Sequence, residues 1–128
     1  MSFTVEKYAN EPIILQTFKA DYDLRGEISL SNRASKEAIE ASPEDRVYLI
    51  DLFEFQISFE EIVQGASIVA RGEEPLWHHP KIIQVIIVTA DEVLRMAAQG
   101  MSAAVFGGLK IPVFGTLEEA LSYVRSQS

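Results

Sequence analysis

Ile82-Ile83-Gln84-Val85-Ile86-Ile87-Val88-Thr89-Ala90-Asp91-Glu92 decides the fold. The apolar run reads as a strand, and the threonine with a glutamate three residues later reads as a helix start. At such a start the hydroxyl accepts from the backbone N–H three residues on while the glutamate reaches back to the cap's own N–H, so two orphan donors are satisfied. The same signal recurs at Ser58 to Glu61 and at Thr116 to Glu119, each time after an apolar run. Strands feed helices repeatedly, and the expected fold class is α/β.

Outward from that stretch, Arg46 to Phe53 is almost continuously apolar at Val47, Tyr48, Leu49, Ile50 and Leu52, the mark of a strand covered on both faces. Ile82 to Val88 is more apolar still and is expected to be central. At the amino terminus Phe3, Val5 and Lys7 alternate with polar residues. Tyr8 to Pro12 is turn-prone, and Ile13 to Phe18 resumes an extended pattern, which together predict a β-hairpin. Leu30, Ala34, Ala38 and Ala41 recur at helical spacing in a helix expected from Ser29 to Ala41 and stopped by Ser42-Pro43.

After Ser58 a second helix is expected to bury Phe59, Ile62, Val63 and Ala66, with Ile57 and Ile62 as a hydrophobic staple. The helix after Thr89 is expected to bury Val93, Leu94, Ala97 and Met101. Lys110 to Phe114 reads as a last short strand, and Leu117, Ala120, Leu121 and Val124 line a closing helix. The expected order is β-β-α-β-α-β-α-β-α, a mixed sheet in one domain spanning residues 1–128.

The formal net charge of −8 argues against nucleic acid or an anionic membrane as a partner, because both demand a basic surface. There is no cysteine, which excludes disulfides, thiolate zinc sites and cysteine nucleophiles. The longest apolar run is far too short to span a bilayer, and Met1 to Tyr8 lacks a signal-peptide core, so a cytoplasmic location is expected.

Candidate chemistry is sparse. Adjacent histidines such as His78-His79 point in different directions and have no third ligand nearby in sequence, so a surface turn with Trp77 covering a sheet end explains them better than a metal site. Asp51, within an apolar strand, reads either as an acid or phospho-acceptor or as a carboxylate capping a neighbouring loop. Gly107-Gly108 belongs to no phosphate-binding motif. Glu60-Glu61 and Glu118-Glu119 occupy first helical turns, where negative charge complements the helix dipole. No catalytic residue, metal or cofactor is expected.

Several segments resemble the small stand-alone bacterial proteins of the STAS (sulfate transporter and anti-sigma factor antagonist, SpoIIAA-like) class. They are Val47-Tyr48-Leu49-Ile50-Asp51-Leu52, His79-Pro80-Lys81 leading into Ile86-Ile87-Val88, and Val113-Phe114-Gly115-Thr116-Leu117-Glu118-Glu119-Ala120-Leu121. The resemblance covers nearly the whole chain. It implies a sheet with helices largely on one face, no catalysis, and a role in protein–protein signalling or small-ligand sensing.

Signalling members of that class carry an Asp-Ser-Ser-Gly-like loop with a phosphorylated serine at a helix start. This chain reads Phe53-Glu54-Phe55-Gln56-Ile57-Ser58-Phe59-Glu60 there and keeps one serine, Ser58. Val85 to Ala90 followed by Lys110 also resembles response-regulator receiver domains, with Asp51 in the phospho-acceptor's place. The acidic pair that holds magnesium in receivers is missing from Ile13 to Phe18.

These residues point to a non-enzymatic module that binds a protein partner. Ser58, Asp51 and Trp77 are the candidate switch or partner-binding positions. A binder of a small apolar, lipid-like ligand and a degenerate receiver-like domain using Asp51 are the alternatives. A homodimer is also expected, because Phe53, Phe55, Phe59 and Trp77 crowd the segments around the strand ends.

The pattern Ser58-Phe59-Glu60-Glu61 between Ile57 and Ile62 leads us to expect Ser58 to act mainly as a helix cap. Ser58→Ala should therefore cost about 1 kcal/mol in a urea titration, and Ser58→Asp should be nearly neutral. Ser58→Asp should leave a partner's affinity within a few fold, whereas a loss of about a hundredfold, roughly 2.7 kcal/mol, would show that charge here is read as a signal.

Overall fold

The computed structural model describes residues 2–8, 11–42, 46–55, 60–61, 79–100 and 111–126. Five strands, β1 (Phe3–Lys7), β2 (Ile13–Phe18), β3 (Arg46–Asp51), β4 (Ile82–Val88) and β5 (Val113–Phe114), form one sheet in the order β1-β2-β3-β4-β5. β1 pairs antiparallel with β2, and every other pairing is parallel. The helices are α1 (Leu24–Glu40), α2 (Glu92–Gly100) and α3 (Leu117–Ser126).

The strand order fixes where the helices go. The crossovers through α1 and α2 both advance in the same direction across the sheet, so right-handedness places both on one face. That face buries Ile14, Tyr48, Ile50, Val85 and Ile87 against Ile28 and Ile39 of α1 and Leu94 of α2. α3 follows the last strand, makes no crossover and escapes the rule. It covers the opposite face, where Ile13, Leu15, Val47, Leu49, Ile86 and Val88 meet Ala120 and Val124. Alternate residues of β2, β3 and β4 thus belong to different cores, which is why these strands read as continuous apolar runs.

β3, not β4, is the central strand. β4 pairs with β5 only at Ile87 and Val88, and a register shift between Arg46 and Val47 leaves Ile83 as an extra residue, 62% exposed. Hydrophobicity alone misranks the two strands, because the amino-terminal part of β4 is less buried than its composition suggests.

α1 begins at Leu24, five residues before Ser29, and its buried stripe is Ile28, Ser31, Ser35 and Ile39. Leu30, expected inside, is 55% exposed, and Ala34 and Ala38 lie at the flank. The serines are inside because the sheet and the loop before α1 offer them partners. Gln16 Nε2 donates to the carbonyl of Ser31 (3.2 Å) and its Oε1 accepts from the Tyr48 hydroxyl. Tyr48 makes a second bond to Ser35 Oγ (3.0 Å). Ser31 Oγ donates to the Ile28 carbonyl (3.1 Å), so Tyr22, 2.7 Å away, donates to it. Burial pushes the Tyr22 hydroxyl up to about 12 and the Tyr48 hydroxyl higher still, so both stay protonated donors throughout the neutral range.

At the amino ends of the parallel strands Arg46, 3% exposed, works as a clamp. Its Nη1 donates to the carbonyls of Tyr8 (3.2 Å) and Glu11 (2.8 Å), and its Nε to Ser42 Oγ. The β1–β2 turn and the end of α1 are thereby tied to the start of β3. Lys81 Nζ completes the end of α1 by donating to the carbonyls of Glu40 (3.3 Å) and Ser42 (2.9 Å). Arg125 at the end of α3 holds Glu11 through two bonds of 2.9 and 3.1 Å, which lowers the Glu11 carboxyl below its ordinary value.

The helix starts differ from one another. At α3 the Thr116 hydroxyl accepts from the N–H of Glu119 (3.2 Å), and the Glu119 carboxylate bonds that hydroxyl rather than the cap's N–H. At α2 the cap is Asp91 and not Thr89. Asp91 Oδ1 accepts from the N–H groups of Val93 (2.8 Å) and Leu94 (3.4 Å), while Thr89 Oγ1 accepts from Asp91 N–H (3.1 Å) in the preceding turn. An aspartate two residues on outcompetes the threonine because its carboxylate is the stronger acceptor. In α2 Leu94 is buried, but Val93 is 47% exposed, against expectation. The cap expected at Ser58, the Ile57–Ile62 staple and Lys110 lie outside the described residues.

Tyr48→Phe removes one hydroxyl and leaves Gln16 Oε1 and Ser35 Oγ short of a buried partner. It should cost about 1–3 kcal/mol in urea unfolding. A variant as stable as the parent would show that the network contributes nothing net.

Candidate functional site

Parallel pairing brings the carboxyl ends of β2 to β5 to one edge of the sheet, the usual location of binding sites in α/β folds. Asp51 is the last residue of β3 and stands in register with Thr17 on one side and Val88 on the other. Its Oδ1 accepts from the N–H of Phe53 (3.0 Å), and the Phe55 N–H donates to the carbonyl of Leu52 (3.1 Å), so Leu52–Phe55 forms a tight turn begun by the aspartate. Leu52 N–H is held by the Val88 carbonyl (2.9 Å). Half-burial raises the Asp51 carboxyl above its ordinary value, opposed by the Phe53 N–H and reinforced by the nearby Glu54 charge.

The turn sorts its aromatic residues. Phe55 is buried, edge-on to Phe18 (5.9 Å between ring centres) and to Tyr22 (5.3 Å), and Tyr22 itself stacks on Phe18 at 4.1 Å. Phe53, at the tip, is 60% exposed. The cluster expected from Phe53, Phe55, Phe59 and Trp77 is thus divided: Phe55 is a core residue, Phe53 is on the surface, and Phe59 and Trp77 lie outside the described residues.

Beside this turn, the β4–α2 connection presents Asp91 and the first turns of α2. Val93 and Met96, three apart on one side of that helix, are both exposed, Met96 at 68%. The buried Thr89 hydroxyl and the Asp91 carboxylate are used in the turn and the cap just described.

Of the three candidate positions, the structure places Asp51 at this edge, while Ser58 and Trp77 lie outside the described residues. So does Lys110, the lysine of the receiver resemblance. Phe18 ends β2 without an acidic pair, and among the described residues no group of three His, Asp or Glu side chains is close enough to hold a metal ion. His78 is outside the described residues. His79 sits at the opposite edge, where its Nδ1 accepts from Lys81 N–H (3.1 Å) and its Nε2 lies 3.7 Å from Glu40. An open groove of about 770 Å³ runs beside α3, lined by Phe114, Thr116, Glu118, Glu119 and Tyr123. Its carboxylates suit a lipid-like ligand poorly.

No family model matches the chain, and no curated protein matches it either. Among solved structures, an uncharacterized protein of the DUF3478 family from Shewanella loihica PV-4, described as having a SpoIIAA-like fold, is similar over 95% of this chain and 91% of that one. The TM-score is 0.56 at 16% sequence identity. The fold is SpoIIAA-like. The five-stranded mixed sheet with its amino-terminal hairpin agrees with that assignment, as does the STAS-like resemblance of the strand and helix-start segments. In this SpoIIAA-like fold no described helix is long and apolar enough to cross a membrane.

The exposed Val93 was not legible as a surface residue, since a valine beside Leu94 on an amphipathic helix reads as core, whereas Met96 lies off the stripe expected to be buried.

Asp51→Asn keeps an acceptor for the Phe53 N–H and deletes a half-buried charge. The folded carboxyl is raised, so its contribution to stability is full below the ordinary value of 3.8 and is lost as pH rises through the folded value. Asp51→Asn should therefore be at least as stable as the parent at pH 7, with the difference closing in acid, as read by urea titrations at both pH values. A variant clearly less stable at pH 7 would mean that the charge itself holds the turn.

Proposed function

We propose that the protein is a non-enzymatic interaction module that recognises a protein partner with the carboxyl edge of its sheet, in the manner of anti-sigma factor antagonists. The observation that carries this reading is the exposure of Phe53, on the turn that ends β3, and of Val93 and Met96, on the first turns of the helix that follows the neighbouring β4. Single exposed apolar residues are ordinary, but three large ones on segments that leave adjacent strands at the same edge support reading it as a contact surface. The polar groups beside them support the same reading. The Asp51 carboxylate, the Thr89 hydroxyl and the Asp91 carboxylate are each committed to a local turn or cap, an arrangement suited to holding a surface in shape rather than to moving a proton.

The test is affinity purification with the parent and with the Phe53→Ser/Met96→Ser double variant, followed by calorimetry with the purified partner. The double variant should lose the partner, with affinity reduced at least about tenfold. Equal affinity for parent and variant would sink the proposal. A lipid retained in a native mass spectrum, with no partner recovered, would favour the small-ligand alternative.

A further inference from the structure

The charge of this chain is distributed unevenly between the two edges of the sheet. Among the described residues, the backbone places Asp21, Glu27, Asp51, Glu54, Glu92 and Glu118 at the carboxyl edge, against Lys19, Arg25 and Arg95. Arg95 is already drawn inward: its Nε lies 3.8 Å from Glu92 and its Nη1 donates to the Val113 carbonyl at 3.5 Å. Asp23 and Asp91 stand at the same edge as the residues preceding α1 and α2. The amino edge is balanced, with Lys7, Arg46, Lys81 and Arg125 set among Glu11, Glu37 and Glu40. Helix dipoles account for the carboxylates of the first helical turns. They do not account for Asp21 or Glu54, which lie on turns, nor for the exposed Phe53, Val93 and Met96 among them.

We propose that this edge docks a basic amphipathic helix of a protein partner, its apolar side chains meeting Phe53, Val93 and Met96 and its lysines or arginines meeting the bordering carboxylates. The proposal rests on the interaction reading above and adds the partner's chemistry. Charge complementarity selects the occupant. Nucleic acid and anionic lipid would be repelled by this border. A second copy is disfavoured for the same reason, because a two-fold contact through one patch sets like against like and would oppose carboxylates to carboxylates. A helix matches the surface better than an extended strand does, because the exposed stripe is itself on a helix and offers side chains rather than free backbone groups.

The probes are two synthetic helical peptides of equal length with the same leucine face, one with a lysine polar face and one with a glutamate polar face. Each is titrated into the isotopically labelled full chain and followed by amide shifts. The lysine peptide should shift Phe53 to Phe55 and Val93 to Met96, and its affinity should fall about tenfold between 50 and 300 mM salt. Met96→Ser should weaken it about tenfold. The double substitution Asp21→Asn/Glu54→Gln, on exposed turns where folding is not at stake, should weaken it several fold and flatten the salt dependence.

Equal binding of the glutamate peptide, shifts scattered over other surfaces, no binding of either peptide, or self-association through the same residues on concentration would each overturn the proposal. The interaction reading fails separately. If a natural partner sensitive to Phe53→Ser/Met96→Ser docks an acidic or uncharged surface, that reading stands and this one falls.

Discussion

The hydrogen bonds among Gln16, Tyr48, Ser35, Ser31 and Tyr22 are the constraint on which the α1 face of the sheet depends. All five residues are buried, and a polar group in that position costs more when unpaired than it contributes when paired. The network therefore acts chiefly as a register device. Sliding α1 along its axis by one residue would move Ser31 and Ser35 away from Tyr22 and Tyr48 and strand several buried groups at once. An aliphatic interface would tolerate such a slip more easily, because apolar contacts are not directional. The apolar residues around the network, Ile28 and Ile39 at 7% and 0% exposure, supply attraction, and the hydroxyls decide where it is satisfied.

The position of α1 has consequences at both edges. At the amino edge its end meets Arg46 and Lys81, which gather the β1–β2 turn, the α1 carboxyl terminus and the start of β3 and β4 into one junction. At the carboxyl edge the segment entering α1 carries Tyr22, whose ring packs against both Phe18 and Phe55, themselves in contact. Phe55 in turn anchors the far end of the turn whose tip is Phe53. The exposed phenylalanine is thus presented by a turn fixed at both ends, by the Asp51 carboxylate on one side and an aromatic cluster on the other. Such preorganisation lowers the ordering cost of any contact made there.

Much of this architecture was legible in the sequence. The hairpin, the doubly covered β3 and the Thr116 cap follow from alternation, continuous apolar runs and capping patterns, all local signals. The α1 stripe was misread because serines count as polar in a periodicity argument, and only the distant Gln16 and Tyr48 make their burial favourable. The Thr89 signal was misplaced by two residues because Asp91 caps the N–H groups of Val93 and Leu94 and so starts the helix later, and pattern matching does not rank caps. At the candidate site Asp51 stood out as a charge in an apolar strand. The exposure of Val93 depends on which side of α2 meets the sheet, a tertiary fact that composition does not contain.

The Arg46 clamp and the Tyr48 network share a further property: every partner named for them lies between Tyr8 and Tyr48. β4, β5 and α3 add apolar cover to this assembly without supplying any of these buried bonds. As the chain leaves the ribosome, these named side-chain bonds need no residue of β4, β5 or α3, whereas the second backbone edge of β3 and the carbonyls at the end of α1 wait for β4 and Lys81. The later strand then meets an edge whose geometry is already set, and closing separations of up to 38 residues costs that first assembly little more than shorter loops would, because loop entropy grows slowly with length.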